Sequence, residues 1–97
     1  MTATETASRE AFASVQPALN ALQMRVFNAI ADQADAGLTD EEGQAATGMN
    51  PSTYRPRRLE LQELGLIQIH PVASKQHRKN TNGRRCAVFV VARRAEP

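Results

Sequence analysis

Twelve side chains in the C-terminal half of the chain are of the types that grip a polyanion. Ser52, Thr53, Arg55, Arg57 and Arg58 crowd into seven positions, and Lys75, His77, Arg78, Lys79, Asn82, Arg84 and Arg85 into eleven. Short hydroxyls at a helix start, beside free backbone N–H groups, can hold a phosphate oxygen. An arginine one half turn further on is long enough to fork onto two acceptors, such as guanine O6 and N7. A loop of cations interleaved with asparagine suits the backbone of a duplex, with a tip that can probe the minor groove. If six of the loop's charges met phosphates, affinity would fall with salt at a log–log slope of roughly −5. The bland reading of the same loop is a solvated segment kept soluble by its charge.

Other chemistries find no support. Ser52-Thr53-Tyr54 offers hydroxyls without an adjacent base. His70, His77 and Cys86 are too few and wrongly spaced for a structural zinc site. The five glycines, at 37, 43, 48, 65 and 83, are scattered, so no phosphate-cradling loop exists. Asp40, Glu41 and Glu42 could form an acidic metal patch, but a helix capping box explains two of the relevant positions without metal. The expectation is a protein that is not an enzyme and needs neither metal nor cofactor.

The charge is divided sharply along the chain. Residues 1–54 hold two basic groups against seven acidic ones, a net of −5, whereas residues 55–97 hold ten against three, a net of +7. The total of +2 conceals that division. A local field of this kind favours nucleic acid as partner. RNA is the weaker choice, because only three Phe and one Tyr are present for base stacking. At 97 residues there is room for one core of ordinary size. The longest apolar run, Cys86 to Ala92, is seven residues and far short of a membrane span. Met1 to Glu5 lack the basic and apolar regions of a secretory signal. A single cysteine excludes an internal disulfide and fits a reducing cytoplasm.

The elements that must position these side chains follow from period and punctuation. Leu19, Leu22, Val26, Ala29 and Ile30 recur at helical spacing, with Phe27 and Ala34 widening the stripe and Gly37 ending it. This predicts a helix from about 18 to 36. Thr39 with Glu42 makes a capping box for a short second helix, which Gly48 ends near Thr47. Ala45 and Ala46 there are small enough to admit a neighbouring helix. Asn50 caps a third helix with Pro51 in its first position, running through Tyr54 and Leu61 to Gly65. Pro56, inside that helix, should kink or tighten its first two turns. Two helices joined by three or four residues form a helix-turn-helix. Leu66–His70 and Cys86–Ala92 then read as strands, with Asn82-Gly83 as a hairpin signal between them.

With those elements in order, the sequence resembles a known family. Leu38-Thr39-Asp40-Glu41-Glu42, Thr47 through Thr53, Arg55 through Leu61 and Gly65-Leu66-Ile67 are similar to the corresponding stretches of small winged-helix DNA-binding proteins, especially short ones encoded by bacteriophages and prophages. The resemblance spans about residues 18 to 92. It implies an α+β winged helix-turn-helix, a three-helix core followed by a two-stranded β-hairpin wing. Residues 1–17 form either a mobile segment or a short extra helix, and 93–97 a tail. It further implies that the third helix enters the major groove of double-stranded DNA, that the wing touches backbone or minor groove, and that the protein regulates transcription in a bacterial host cytoplasm. One recognition helix per chain suggests a homodimer, with Phe12 and Val15 as the contact. The alternatives are a protein-binding winged helix that inhibits or recruits a host complex, or a DNA-packaging or replication accessory.

Arg58, Tyr54, Met24 and Met49 carry two readings each. Arg58 falls on the core side of its helix, so it is either a DNA contact or the half-buried partner of Glu41 or Glu42. Tyr54 shares the arc of Leu61, which favours core packing over a hydroxyl-to-phosphate contact. Met24 and Met49 read as gap-filling core or turn residues rather than as a binding surface. His70, at a strand end before Pro71, reads as half-exposed.

Overall fold

The computed structural model of the chain describes residues 19–92. The expectations for residues 1–17 and 93–97, including the dimer contact through Phe12 and Val15, lie outside the described residues. Helix α1 spans Ala21–Asp32, α2 Asp40–Thr47 and α3 Pro51–Glu63. Four short strands follow: β1 Ile67–Ile69, β2 His77–Lys79, β3 Arg85–Ala87 and β4 Phe89–Val91. The architecture is α+β, three helices and then an antiparallel hairpin, and it is compatible with a winged helix.

Helix α1 is shorter than its apolar stripe at both ends. Asn20 begins it, because its Oδ1 accepts from the Gln23 N–H at 2.8 Å while Gln23 Oε1 accepts from the Asn20 N–H at 2.8 Å. It stops at Asp32, and a single 3-10 turn, Ala34–Ala36, carries Ala34 at a φ of 48°. Sheet pairing imposes that break. Leu38 exchanges backbone hydrogen bonds of 2.9 Å with Phe89 of β4, so the chain must leave the helix axis before position 38. Gly37 lies so close to β4 that a side chain there would meet the Phe89 carbonyl oxygen.

Helix α2 follows its predicted signals. Both halves of the Thr39–Glu42 capping box are present, and Gly48 ends the helix at a φ of 75°. The close helix approach does not use Ala45 and Ala46, which are exposed; it uses Gly43, buried against Tyr54. Asn50 caps α3 through the Thr53 N–H at 2.9 Å. Pro56 leaves the Ser52 carbonyl without its helical N–H donor, yet α3 continues through it as one α-helix, from Pro51 to Glu63.

The hairpin differs from two uninterrupted strands. β1 pairs with β4 and β2 with β3, both antiparallel. Val88 and His70 join the two halves, through His70 N–H to Val88 O and Val88 N–H to Gln76 O, each 2.9 Å. Beyond His70 the first limb leaves the ladder and bulges outward through a 3-10 turn, Ala73–Lys75, before pairing resumes at β2. At the tip, Gly83 donates to Asn80 O at 2.9 Å with a φ of 79°, whereas Thr81 and Asn82 keep negative φ. That is a type I turn followed by a left-handed glycine, which lengthens the loop beyond two residues.

Val26, Ile30, Leu38, Met49, Tyr54, Leu61, Ile67 and Phe89 form the core between the three helices and the β1–β4 pair. Each large aliphatic residue fully buried there contributes roughly 1.5–3 kcal/mol of transfer free energy. His70 belongs with them, contrary to the half-exposed reading, at 1% exposure. Its Nδ1 accepts from the Val72 N–H at 3.1 Å, so Nε2 carries the proton and donates to Asp35 O at 3.0 Å. Satisfied at both nitrogens, the ring fastens the 3-10 turn after α1 to the end of β1.

Candidate nucleic-acid interface

The head of α3 presents a mixed set. Ser52 is exposed with its hydroxyl donating to Asn50 Oδ1 at 2.8 Å, and Thr53 is half-exposed beside it. Arg55 is the open arm of the helix, 63% exposed, its Nε 3.9 Å from Asp40 Oδ2. Arg57 is occupied by Glu60, with Nε to Oε1 at 2.7 Å and Nη2 to Oε2 at 2.9 Å. Glu60 also accepts from Gln23 Nε2 at 2.8 Å, which links α3 to α1.

Arg58 is turned inward and half-buried. Its fork closes on Asp40, Nε to Oδ1 at 2.9 Å and Nη2 to Oδ2 at 2.7 Å, while Nη1 donates to Gln62 Oε1 at 3.0 Å. The guanidinium also lies 4.4 Å from the centroid of the Phe89 ring, a cation–π contact. The structural reading of Arg58 is the right one, but its partner is Asp40 rather than Glu41 or Glu42. Those two acids are engaged elsewhere. Glu41 accepts from the Thr81 N–H and hydroxyl at 3.1 and 2.8 Å, and Glu42 from Thr39 N–H and the Arg78 guanidinium.

The pleat of the outer hairpin sorts its side chains onto two faces. Paired residues share a face, so His77 with Ala87 and Lys79 with Arg85 lie on one side, and Arg78 with Cys86 on the other. Arg78 reaches Glu42 Oε2 at 2.8 Å and the carbonyls of Ala36 and Gly37 at 3.1 and 3.2 Å. Lys75 binds Asp35 Oδ2 at 2.9 Å. Thus Lys75 and Arg78, two of the predicted polyanion contacts, are engaged by acids of the chain itself. Lys79, Arg84 and Arg85 form no ion pair among the described residues, and Arg85 Nη2 lies 3.4 Å from His77 Nδ1. His77, Lys79 and Arg85 line a shallow groove of about 350 Å³ with Ala73, Ser74 and Arg78. Asn82, exposed at the tip, donates its N–H to Asn80 Oδ1 at 2.9 Å.

Three of these pairings lower the titration of their carboxylates. The Arg78 guanidinium keeps Glu42 below the usual glutamate range, and Glu42 in turn raises Arg78. Lys75 does the same to Asp35, and Arg57 to Glu60. Burial pushes the Tyr54 phenol above its ordinary value, with the Asp40 charge adding to it. Among the described residues no group of three or more His, Cys, Asp or Glu is placed to hold a metal ion. No helix among them is long and apolar enough to cross a membrane.

No family model, curated protein or solved structure matches this chain. Its site therefore rests on geometry. The acids at the head of α2 stand between Arg55 on α3, which lies 3.9 Å from Asp40, and the hairpin that carries Lys79, Arg84 and Arg85, whose Thr81 bonds Glu41. Sequence reasoning missed the internal partners Asp35 and Asp40, and it gave Glu41 and Glu42 to Arg58 whereas they hold Thr81 and Arg78 of the hairpin. The signal for them was the charge division itself, because an acidic half folded against a basic half must form pairs.

Proposed function

We propose that this protein binds double-stranded DNA as a winged helix-turn-helix, with α3 in the major groove and the hairpin as a wing on the backbone or minor groove. One observation carries the reading: the least engaged cations among the described residues flank the head of α2, Arg55 from α3, 63% exposed and only 3.9 Å from Asp40, and Lys79, Arg84 and Arg85, without an ion pair, from the hairpin. Ser52 and Thr53, at the start of α3, suit phosphate oxygens beside them. Transcriptional regulation in a bacterial cytoplasm, as a phage or prophage protein and a homodimer on spaced half-sites, is the use we attach to it.

The internal pairings change the expected electrostatics. With Lys75 and Arg78 engaged, four contacts (Arg55, Lys79, Arg84 and Arg85) correspond to a log–log salt slope of about −3.5 per chain instead of −5. Fluorescence anisotropy on a random duplex across a salt series tests this. Saturable binding with that slope, reduced in Arg55→Ala and in Arg84→Ala/Arg85→Ala, supports the reading. Absence of binding at low salt refutes it and favours a protein partner.

A further inference from the structure

The outer hairpin has little apolar reason to hold one direction. Its strands are three residues each, and all of β2 is exposed. A two-stranded ladder of that size is marginal by itself. Polar bonds to the helical body supply what packing does not. Arg78 makes four of them, two to Glu42 and one each to the carbonyls of Ala36 and Gly37. Thr81 adds two to Glu41 at the tip, and Lys75 one to Asp35 at the base. Glu42 is itself fixed, because its Oε1 accepts the Thr39 N–H at 3.0 Å in the capping box.

The geometry points to Arg78 as a positioning residue: latched to Glu42, Ala36 and Gly37, it sets the direction in which the hairpin presents Lys79, Arg84 and Arg85, and it does not itself contact DNA. This rests on the DNA-binding reading above. An arm already ordered in the free protein avoids part of the ordering cost of association. A guanidinium with its fork committed to a carboxylate and two carbonyls cannot also neutralise a phosphate without surrendering those bonds.

Salt titrations of wild type, Arg78→Ala, Arg78→Lys and Arg84→Ala on one duplex separate positioning from contact. Melting curves confirm that each variant is folded. Arg84→Ala should flatten the slope by about 0.9, the loss of one phosphate contact. Arg78→Ala should keep the wild-type slope and bind about five-fold more weakly at every salt concentration. Arg78→Lys keeps the charge but not the fork, and should lose nearly as much. A flattened slope in Arg78→Ala, or wild-type affinity in either Arg78 variant, overturns the inference.

Amide exchange by NMR reads the latch without DNA. The Thr81 N–H should exchange about ten-fold faster in Arg78→Ala than in wild type. Unchanged exchange overturns the latch, whereas a wild type that binds no duplex overturns the DNA reading and leaves the exchange result to stand or fall separately.

Discussion

Gly43 of α2 lies flush against the phenol of Tyr54 of α3, so that a Cβ at position 43 would fall within the ring's Oη, Cζ and Cε2. The two helices of the helix-turn-helix meet there, and Tyr54 is only 1% exposed. Helix propensity alone would favour alanine at position 43 by about 1 kcal/mol. Overpacking a closed core outweighs that, at about 1–3 kcal/mol or more, since the ring has core on its other side. Gly43→Ala should therefore destabilise the protein by about 2 kcal/mol and lower Tm by roughly 10 °C. A thermal melt with an unchanged or raised midpoint would show that the helices can separate without cost.

Tyr54 also makes the alkaline limit of the fold readable. It is the chain's one tyrosine, and there is no tryptophan, so tyrosinate absorbance reports this residue alone. Its folded-state value is raised above the ordinary 10.0 by burial. The stabilisation is thus complete below that ordinary value and is lost as pH rises toward the folded one, because only the unfolded phenol ionises in between. At about pH 11 the native protein should show little tyrosinate, whereas in strong denaturant the phenol should titrate near pH 10. Coincident titrations would place the hydroxyl in solvent.

Local signals were enough where a few neighbouring residues settle the structure. Thr39 with Glu42, Gly48, Asn50 before Pro51, and the return of an apolar run after Gly65 each act within one turn, and each is found where its chemistry put it. The misreadings all have tertiary causes. The stripe around α1 continues past Asp32, but pairing of Leu38 with Phe89 breaks it. Cys86–Ala92 is uniformly apolar, and nothing in it announces the interruption at Val88, whose N–H bonds to Gln76 O beyond the bulge of the other limb. The basic residues between 55 and 85 look alike in sequence. Only the fold separates Arg57, Arg58, Lys75 and Arg78, which close on acids at 2.7, 2.7, 2.9 and 2.5 Å, from Arg55, 3.9 Å from Asp40, and from Lys79, Arg84 and Arg85, which form no ion pair among the described residues.

Arg58 and Asp40 hold α3 to α2 with a bidentate pair whose side chains are 18% and 19% exposed. Removing one partner strands the other in a half-buried site, which makes single substitutions costly. Arg58→Ala and Asp40→Asn should each destabilise by about 2 kcal/mol, the first also through loss of the contact with Phe89. A double-mutant cycle in urea should return a coupling of about 1–2 kcal/mol. Additive effects would mean that the two side chains stabilise the fold independently.

Acid should undo the charge pairs in a defined order of sign. Glu42, Asp35 and Glu60 all lie below their ordinary values of 4.5, 3.8 and 4.5, held there first by hydrogen bonds from Arg78, Lys75 and Arg57 respectively. A depressed carboxylate adds stability that is fully present above its unfolded value and is lost as pH falls through the folded one. The urea midpoint should thus be insensitive to these groups above about pH 6 and decline steadily below about pH 4. Salt should blunt the decline, because Asp35 and Lys75 are 67% and 54% exposed and the other pairs are only partly covered. In Arg78→Ala, Glu42 loses the first cause of its depression, so the acid limb should become shallower while the alkaline limb set by Tyr54 stays in place. An acid limb identical to that of wild type would mean that Glu42 and Arg78 do not pair in solution.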